Sequence, residues 1–163
     1  MADTQNLKEI TQCYYMGKLY PMYGLVDPSV PKLVIEFEKD HFMCKSPTDG
    51  ELDLTQALKT CYRRACKKVV GEKLKLYQTQ IKTPYKSFSI EDSLVRLGSC
   101  NSHKHLTFHY KLILMPPKVI EYVVVHELCH LMHLNHDRSF WRLVGKLMPD
   151  YKEAEALLNH KTI

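Results

Sequence analysis

The sequence predicts an α+β domain in which strands, a long helix, further strands and a group of helices follow one another. Three observations carry this. The segments LVIEFE and HLTFHYKLIL alternate apolar and polar residues with the period of a half-buried strand. From Asp53 to about Gln80, apolar residues recur at near-helical intervals. The pair Pro116-Pro117 then opens an apolar segment too long for an ordinary strand.

The elements follow in order. Residues 11–48 read as short strands, beginning with the Tyr-rich hairpin CYYMGKLYPMYGLV, which is punctuated by Gly17 and Gly24. In LVIEFE, Leu33, Ile35 and Phe37 face one way and Val34, Glu36 and Glu38 the other. A turn at Lys39–Asp40 returns the chain through His41–Cys44. Asp53 is the expected N-cap of the long helix, whose inner face is Leu58, Cys61, Tyr62, Ala65, Val69, Leu74 and Tyr77. Gly71 weakens that helix by about 1 kcal/mol relative to alanine. Residues 86–92, 94–100 and 105–114 read as three strands, with turn chemistry at Gly98 and at Asn101–Lys104. A helix is expected over Val119–Leu134. Two more follow, over Arg138–Met148 with Asp137 as N-cap, and over Asp150–Asn159 after Pro149.

With 163 residues, 45% of them hydrophobic, the chain can build one real core, so residues 1–163 are expected to form a single domain. Residues 1–50 make its β-hairpin region and 51–163 its main body. No apolar run approaches the roughly 18–20 residues of a membrane span. The opening MADTQNLKEI is polar and does not read as a secretory signal. Six scattered cysteines without a CxxC pair read as reduced thiols, so the expected location is cytoplasmic. The net charge of +5 is uneven, much of it lying in KTCYRRACKKVVGEKLK between Lys59 and Lys75. On a helix such a run is a solvated face or a phosphate-binding patch. No recognition motif or aromatic platform accompanies it in the sequence, so nucleic acid is the weaker partner expectation.

The informative stretch is PPKVIEYVVVHELCHLMHLNHDRSFW. Taken as a helix, Val119–Leu134 is apolar almost all round and therefore buried. With His126 at zero, Glu127 lies about 100° round, His130 about 40° and His133 about −20°. Burying such groups without partners costs several kcal/mol. A metal ion is a partner that meets the need: His126 and His130 stand one turn apart on one face, as in the H-E-x-x-H arrangement of zinc hydrolases, with Glu127 set sideways as general base. A catalytic zinc takes three protein ligands, and His136, ten residues after His126, is the expected third. On a continuing helix His136 would point about 80° away, so the helix must stop first. Asn135, in a left-handed conformation, is the expected terminator. Glu153 and Glu155, on a later helix, are the alternative third ligands. His133 lies too far along the axis to reach the same ion, and Cys129 lies off the metal face.

Several further motifs make the chain resemble the YgjP-like metal-dependent hydrolases, relatives of the SprT-like zinc peptidases. They are Arg96-Leu97-Gly98-Ser99-Cys100, Leu114-Met115-Pro116-Pro117, Tyr122 through His130, Asn135-His136, Phe140-Trp141 and Met148-Pro149-Asp150-Tyr151. A weaker echo lies in Tyr15 through Tyr20. Leu97 stands where the family usually has Trp. The resemblance implies a zincin-like fold, with a small antiparallel sheet, a buried HExxH helix and C-terminal helices. It implies His126, His130 and His136 as metal ligands and Glu127 as the catalytic glutamate. The expected cofactor is Zn²⁺, with another divalent metal as the alternative, and the expected substrate is a peptide or protein. Two other function classes stand beside this one: hydrolysis of a nucleotide phosphoanhydride, and a non-catalytic metal or nucleic-acid binding module. Tyr122, Tyr151, Arg96, His103, His105 and His109 are the candidate oxyanion donors, and the strand around Leu106–Lys111 is the candidate edge for an extended peptide.

Overall fold

The hairpin expected near the N-terminus forms because Met16 and Gly17 both take positive φ, 48° and 81°, the pairing that a two-residue hairpin turn demands. It joins β1 (Lys8–Tyr15) to β2 (Lys18–Val26). A second tight turn, with Lys39 at φ 51°, joins β3 (Val34–Glu38) to β4 (His41–Ser46). This computed structural model describes residues 7–92 and 95–160. The four strands pair in the order β1-β2-β4-β3, with β2 and β4 parallel. Tyr15, Phe37, Phe42 and Tyr62 pack ring to ring under this sheet.

Helix α1 spans Thr55–Gln78 and buries Cys61, Tyr62, Cys66, Val70, Leu74 and Tyr77. The helical spacing finds the face but misses Cys66 and Val70. Asp53 does its capping one residue early: its Oδ1 accepts from Thr55 N at 3.0 Å, while Leu54 holds the N-cap position. A second sheet follows, of β5 (Ser87–Glu91), β6 (Gly98–Cys100) and β7 (His105–His109), in the order β5-β7-β6. Of the expected strand over 94–100, residue 94 lies outside the described residues and only 98–100 pair. Asn101 Oδ1 accepts from the backbone N–H groups of His103 and His105, each at 3.0 Å, which builds the turn into β7. Neither sheet is wholly antiparallel, contrary to expectation, because β5 and β7 also run parallel.

The strand expected to run on to residue 114 stops at His109. Tyr110–Leu114 is a 3₁₀ helix in which His109 Nδ1 accepts from Lys111 N at 3.1 Å. The adjacent residues Leu112 and Ile113 are both fully buried, which departs from the alternation of a half-buried strand. Helix α2 runs from Pro117 to Cys129, with Pro117 in its first turn as expected. It ends five residues short of the expected Leu134. Helices α3 (Arg138–Leu147) and α4 (Tyr151–Asn159) complete the chain, and Asp137 caps α3 through Phe140 N at 2.9 Å.

Helix α2 is the centre of the fold, held from three sides. Glu121 accepts from Tyr77 Oη at 2.6 Å and from Lys73 Nζ at 3.1 Å, tying α2 to α1. Lys118 pairs with Asp150 and Glu153, tying its first turn to α4. The tip of the first hairpin docks at its start, where Met16 N and Gly17 N donate to the carbonyls of Ile113 and Leu114 at 2.8 and 3.0 Å. A Cβ at Gly17 would lie 2.9 Å from Pro116 Cα, in addition to the strain of φ 81°. Gly17→Ala is therefore expected to destabilise the protein by about 1–3 kcal/mol. Urea unfolding measures this, and an unchanged midpoint would contradict the docking argument. Among the described residues, no helix is long and apolar enough to cross a membrane.

Candidate metal centre and active-site cleft

The last turn of α2 and the loop after it bring three imidazoles together. His126 Nε2 lies 3.2 Å from His130 Nε2 and 2.9 Å from His136 Nε2. Among the described residues these are the histidine, cysteine and carboxylate groups placed to share one ion. The expected left-handed residue at Asn135 is not what turns the chain, since positive φ among described non-glycine residues occurs at Met16, Lys39 and Lys104. The helix closes instead through tight backbone bonds, Leu131 N to Leu128 O and Met132 N to Cys129 O, both 3.1 Å. His130 itself locks the exit, its Nδ1 lying 3.0 Å from the carbonyl of His133. Breaking the helix this early returns His136 across the end of α2. Neither alternative third ligand joins the cluster: Glu153 is engaged by Lys118, and Glu155 accepts from Tyr122 Oη at 3.4 Å.

The donor set fits a metal. Since a carbonyl can only accept, His130 must carry its proton on Nδ1, which leaves a bare lone pair on Nε2 facing the other rings. Burial pushes the pKa of His126 down to about 4, with the neighbouring His130 and His136 adding to the effect. Burial likewise lowers that of His130. The two rings are neutral at pH 7 and available as ligands. His126 Nδ1 is buried without a hydrogen-bond partner among the described residues, so its ring depends on what its Nε2 meets. The Nε2 separations approach the roughly 3.3 Å expected between ligands of a tetrahedral ion with bonds of about 2.0–2.1 Å.

Glu127 lies beside this cluster, 7% exposed. Burial raises its carboxyl pKa to about 7, against a smaller opposing pull from Arg96. Both face a cleft of about 400 Å³, walled by β6 on one side and by Tyr122, Val123 and the three histidines on the other. β7, the expected peptide-binding edge, is the middle strand of its sheet, and the strand on the cleft is β6. Of the candidate oxyanion donors, Arg96 and Tyr122 line the cleft. His105 is bonded to Ser87 and Ser89 on β5, His109 caps the 3₁₀ helix, and His103 lies in the exposed turn before β7. Tyr151 stacks on Tyr122 from behind.

Over residues 2–161 the sequence matches the family described as YgjP-like, metallopeptidase domain. The chain belongs to the YgjP-like family. It is thereby a hydrolase of metallopeptidase type, a class that works with a divalent metal ion. Among solved structures, this YgjP-like chain is similar to one titled the metallopeptidase zymogen of Pyrococcus abyssi abylysin. Identity is 20% and the TM-score 0.42, covering 61% of this chain and 90% of that one. No curated protein matches it.

Two supports of the YgjP-like site escape a reading of spacing alone. Trp141 stacks on His136, with ring centroids 5.8 Å apart, and on Tyr151 at 5.5 Å, while Tyr151 stacks on Tyr122. This ladder steadies His136, an exposed residue on a loop. The second support is Gly98, on β6, whose missing Cβ is what makes room for the glutamate. A Cβ there would come within 2.8 Å of Glu127 Cγ and 3.0 Å of its Oε1. The clash is with a side chain, so the carboxylate would move while the backbone stayed in place. Gly98→Ala is expected to lower turnover on the order of 10–100-fold with metal content unchanged. Steady-state kinetics beside metal analysis test this, and wild-type turnover in the variant would remove Gly98 from the site.

Proposed function

We propose that this chain is a zinc-dependent peptidase in which His126, His130 and His136 hold the ion and Glu127 is the general base. The observation that carries the reading is the convergence of three Nε2 atoms beside a buried carboxyl group in one cleft. A divalent ion held there would supply positive charge that acidifies water and polarises a substrate carbonyl. Glu127, whose carboxyl titrates near neutrality, takes the proton from the attacking water and delivers it to the leaving amine. Arg96, which lines the cleft, would donate to the oxygen on which negative charge develops, and Tyr122 would do so on releasing Glu155. The edge of β6 offers backbone groups to an extended peptide.

The nucleotide alternative leaned on the basic stretch Lys59–Lys75, and no residue of that stretch lines the cleft. The reading takes residues 1–163 as one domain, supported by a buried cluster that continues from Cys13 and Met22 through α1 to Ala154. A cytoplasmic location is part of it, supported by six cysteines that form no disulfide, five of them buried. Purified protein is expected to carry about one zinc per chain. It should cleave peptides, lose activity to a chelator and regain it with zinc, and leave nucleotides intact. Nucleotide hydrolysis without peptide hydrolysis would overturn the proposal.

A further inference from the structure

The basic stretch that the cleft leaves unused has an ordered geometry of its own. Arg64, Lys68, Gly71 and Lys75 follow the i, i+4, i+7, i+11 spacing of a single stripe on α1. Taking Arg64 as zero, Lys68 stands at about 40°, Gly71 at about −20° and Lys75 at about 20°, with Lys67 beside them at about −60°. The stripe is about 16 Å long. Arg64 reaches Glu36 at 3.5 Å, an exposed contact, while among the described residues no carboxylate lies within 4.0 Å of Lys67, Lys68 or Lys75. Glu72 is the acidic member of the groove that these residues line. Like charges one turn apart disfavour a helix, and a glycine in its interior costs about 1 kcal/mol. The stripe therefore weakens α1 twice, and the two carboxylates beside it, Glu36 at Arg64 and Glu72 in the groove, leave its four cations with a net positive charge.

The tertiary fold adds what the sequence lacked. Tyr85 and Phe88, from the segment that enters β5, line the same groove of about 470 Å³ and are half-buried. Their ring centroids are 6.3 Å apart, edge to face. Phe88 lies over Gly71, where a Cβ would meet its Cζ at 3.4 Å, so the glycine seats the ring between Lys68 and Lys75. Cations along one wall and half-buried aromatic rings on the other match a chain of phosphates carrying unstacked bases. A duplex keeps its base faces covered, and a flat anionic bilayer meets lysines without needing half-buried rings.

We propose that the outer face of α1 and the edge at β5 bind single-stranded nucleic acid, with Arg64, Lys67, Lys68 and Lys75 on the phosphates and Tyr85 and Phe88 under the bases. The surface lies at the β5 edge of the three-stranded sheet, opposite the β6 edge that walls the cleft. It holds a strand without occupying the peptidase site.

Fluorescence anisotropy of labelled oligo(dT), titrated with the full chain, tests this. With three or four phosphates contacted, the slope of log affinity against log salt is expected to be about −2 to −3. Lys68→Glu with Lys75→Glu should weaken binding at least 10-fold and flatten that slope, leaving peptide hydrolysis unchanged. Tyr85→Ala and Phe88→Leu, each checked for an unchanged melting temperature, should weaken binding about 5-fold or more at an unaltered slope. Three results would overturn the proposal: no binding at low salt, a duplex bound as tightly as the single strand, or both aromatic variants binding like wild type. Tighter binding to phosphatidylserine vesicles than to oligo(dT) would also overturn it, assigning the patch to a membrane surface.

Discussion

Glu127→Gln is expected to lower peptide hydrolysis by about 10²–10⁴-fold while zinc content stays at the wild-type level. The glutamine keeps the shape of a side chain fitted against Gly98, but it cannot take a proton from water. Turnover and metal analysis on the same preparation separate this from loss of the site, and an active, zinc-loaded variant would refute the role of Glu127. The substitution also has a consequence for the metal-free protein. Burial raises the carboxyl from an ordinary value of 4.5 to about 7, so the folded state holds this proton more tightly than the unfolded chain. The contribution to stability is present at low pH and is lost as pH rises through that window. Glutamine does not titrate. In chelator-treated samples the variant should gain stability relative to wild type as pH increases over this range, by on the order of 3 kcal/mol. A pH-independent difference in thermal or urea unfolding would show that the carboxyl is not buried as described.

His126→Ala should remove metal and activity together, a larger effect than the roughly 10–100-fold that losing an outer hydrogen-bond partner costs a metal site. His126 makes both of the close Nε2 approaches, to His130 and to His136, and its loss leaves two ligands where a catalytic zinc takes three. Trp141, the single tryptophan of the chain, offers a readout independent of activity. Its ring centroid is 6.0 Å from that of His126 and 5.8 Å from that of His136. Adding zinc to metal-free wild type should change its emission, and adding zinc to the variant should not. Full zinc occupancy with wild-type turnover in His126→Ala would remove the centre altogether.

Much of the candidate site was legible because its signal is local. The spacing of His126, Glu127 and His130 follows from helical geometry, and a buried helix needs a partner for such groups. His136 was legible as a residue but not as a trajectory. Asn135 was the expected pivot, yet the chain turns through the Leu128–His133 segment, because His130 spends its second nitrogen on the His133 carbonyl. The strand expected over 105–114 failed at Tyr110 for a related reason. Alternation describes a half-buried sheet, and Leu112 and Ile113 are buried together by contacts with α1 that no local pattern encodes.

The amino-acid order by itself determined the α+β class, the two N-terminal hairpins, the span of α1 and the spacing of the candidate metal ligands. All of these rest on periodicity or turn chemistry within a few residues. Tertiary structure alone decided the parallel pairings of β2 with β4 and β5 with β7, the placing of Gly98 against Glu127, and the stacking of Trp141 on His136. It also decided that Phe88 should lie between the lysines of α1, over Gly71. The reason is common to them all. A glycine or an aromatic ring shows its purpose only through the atom that fills, or would fill, the space beside it, and in each case that atom belongs to a different element of the fold.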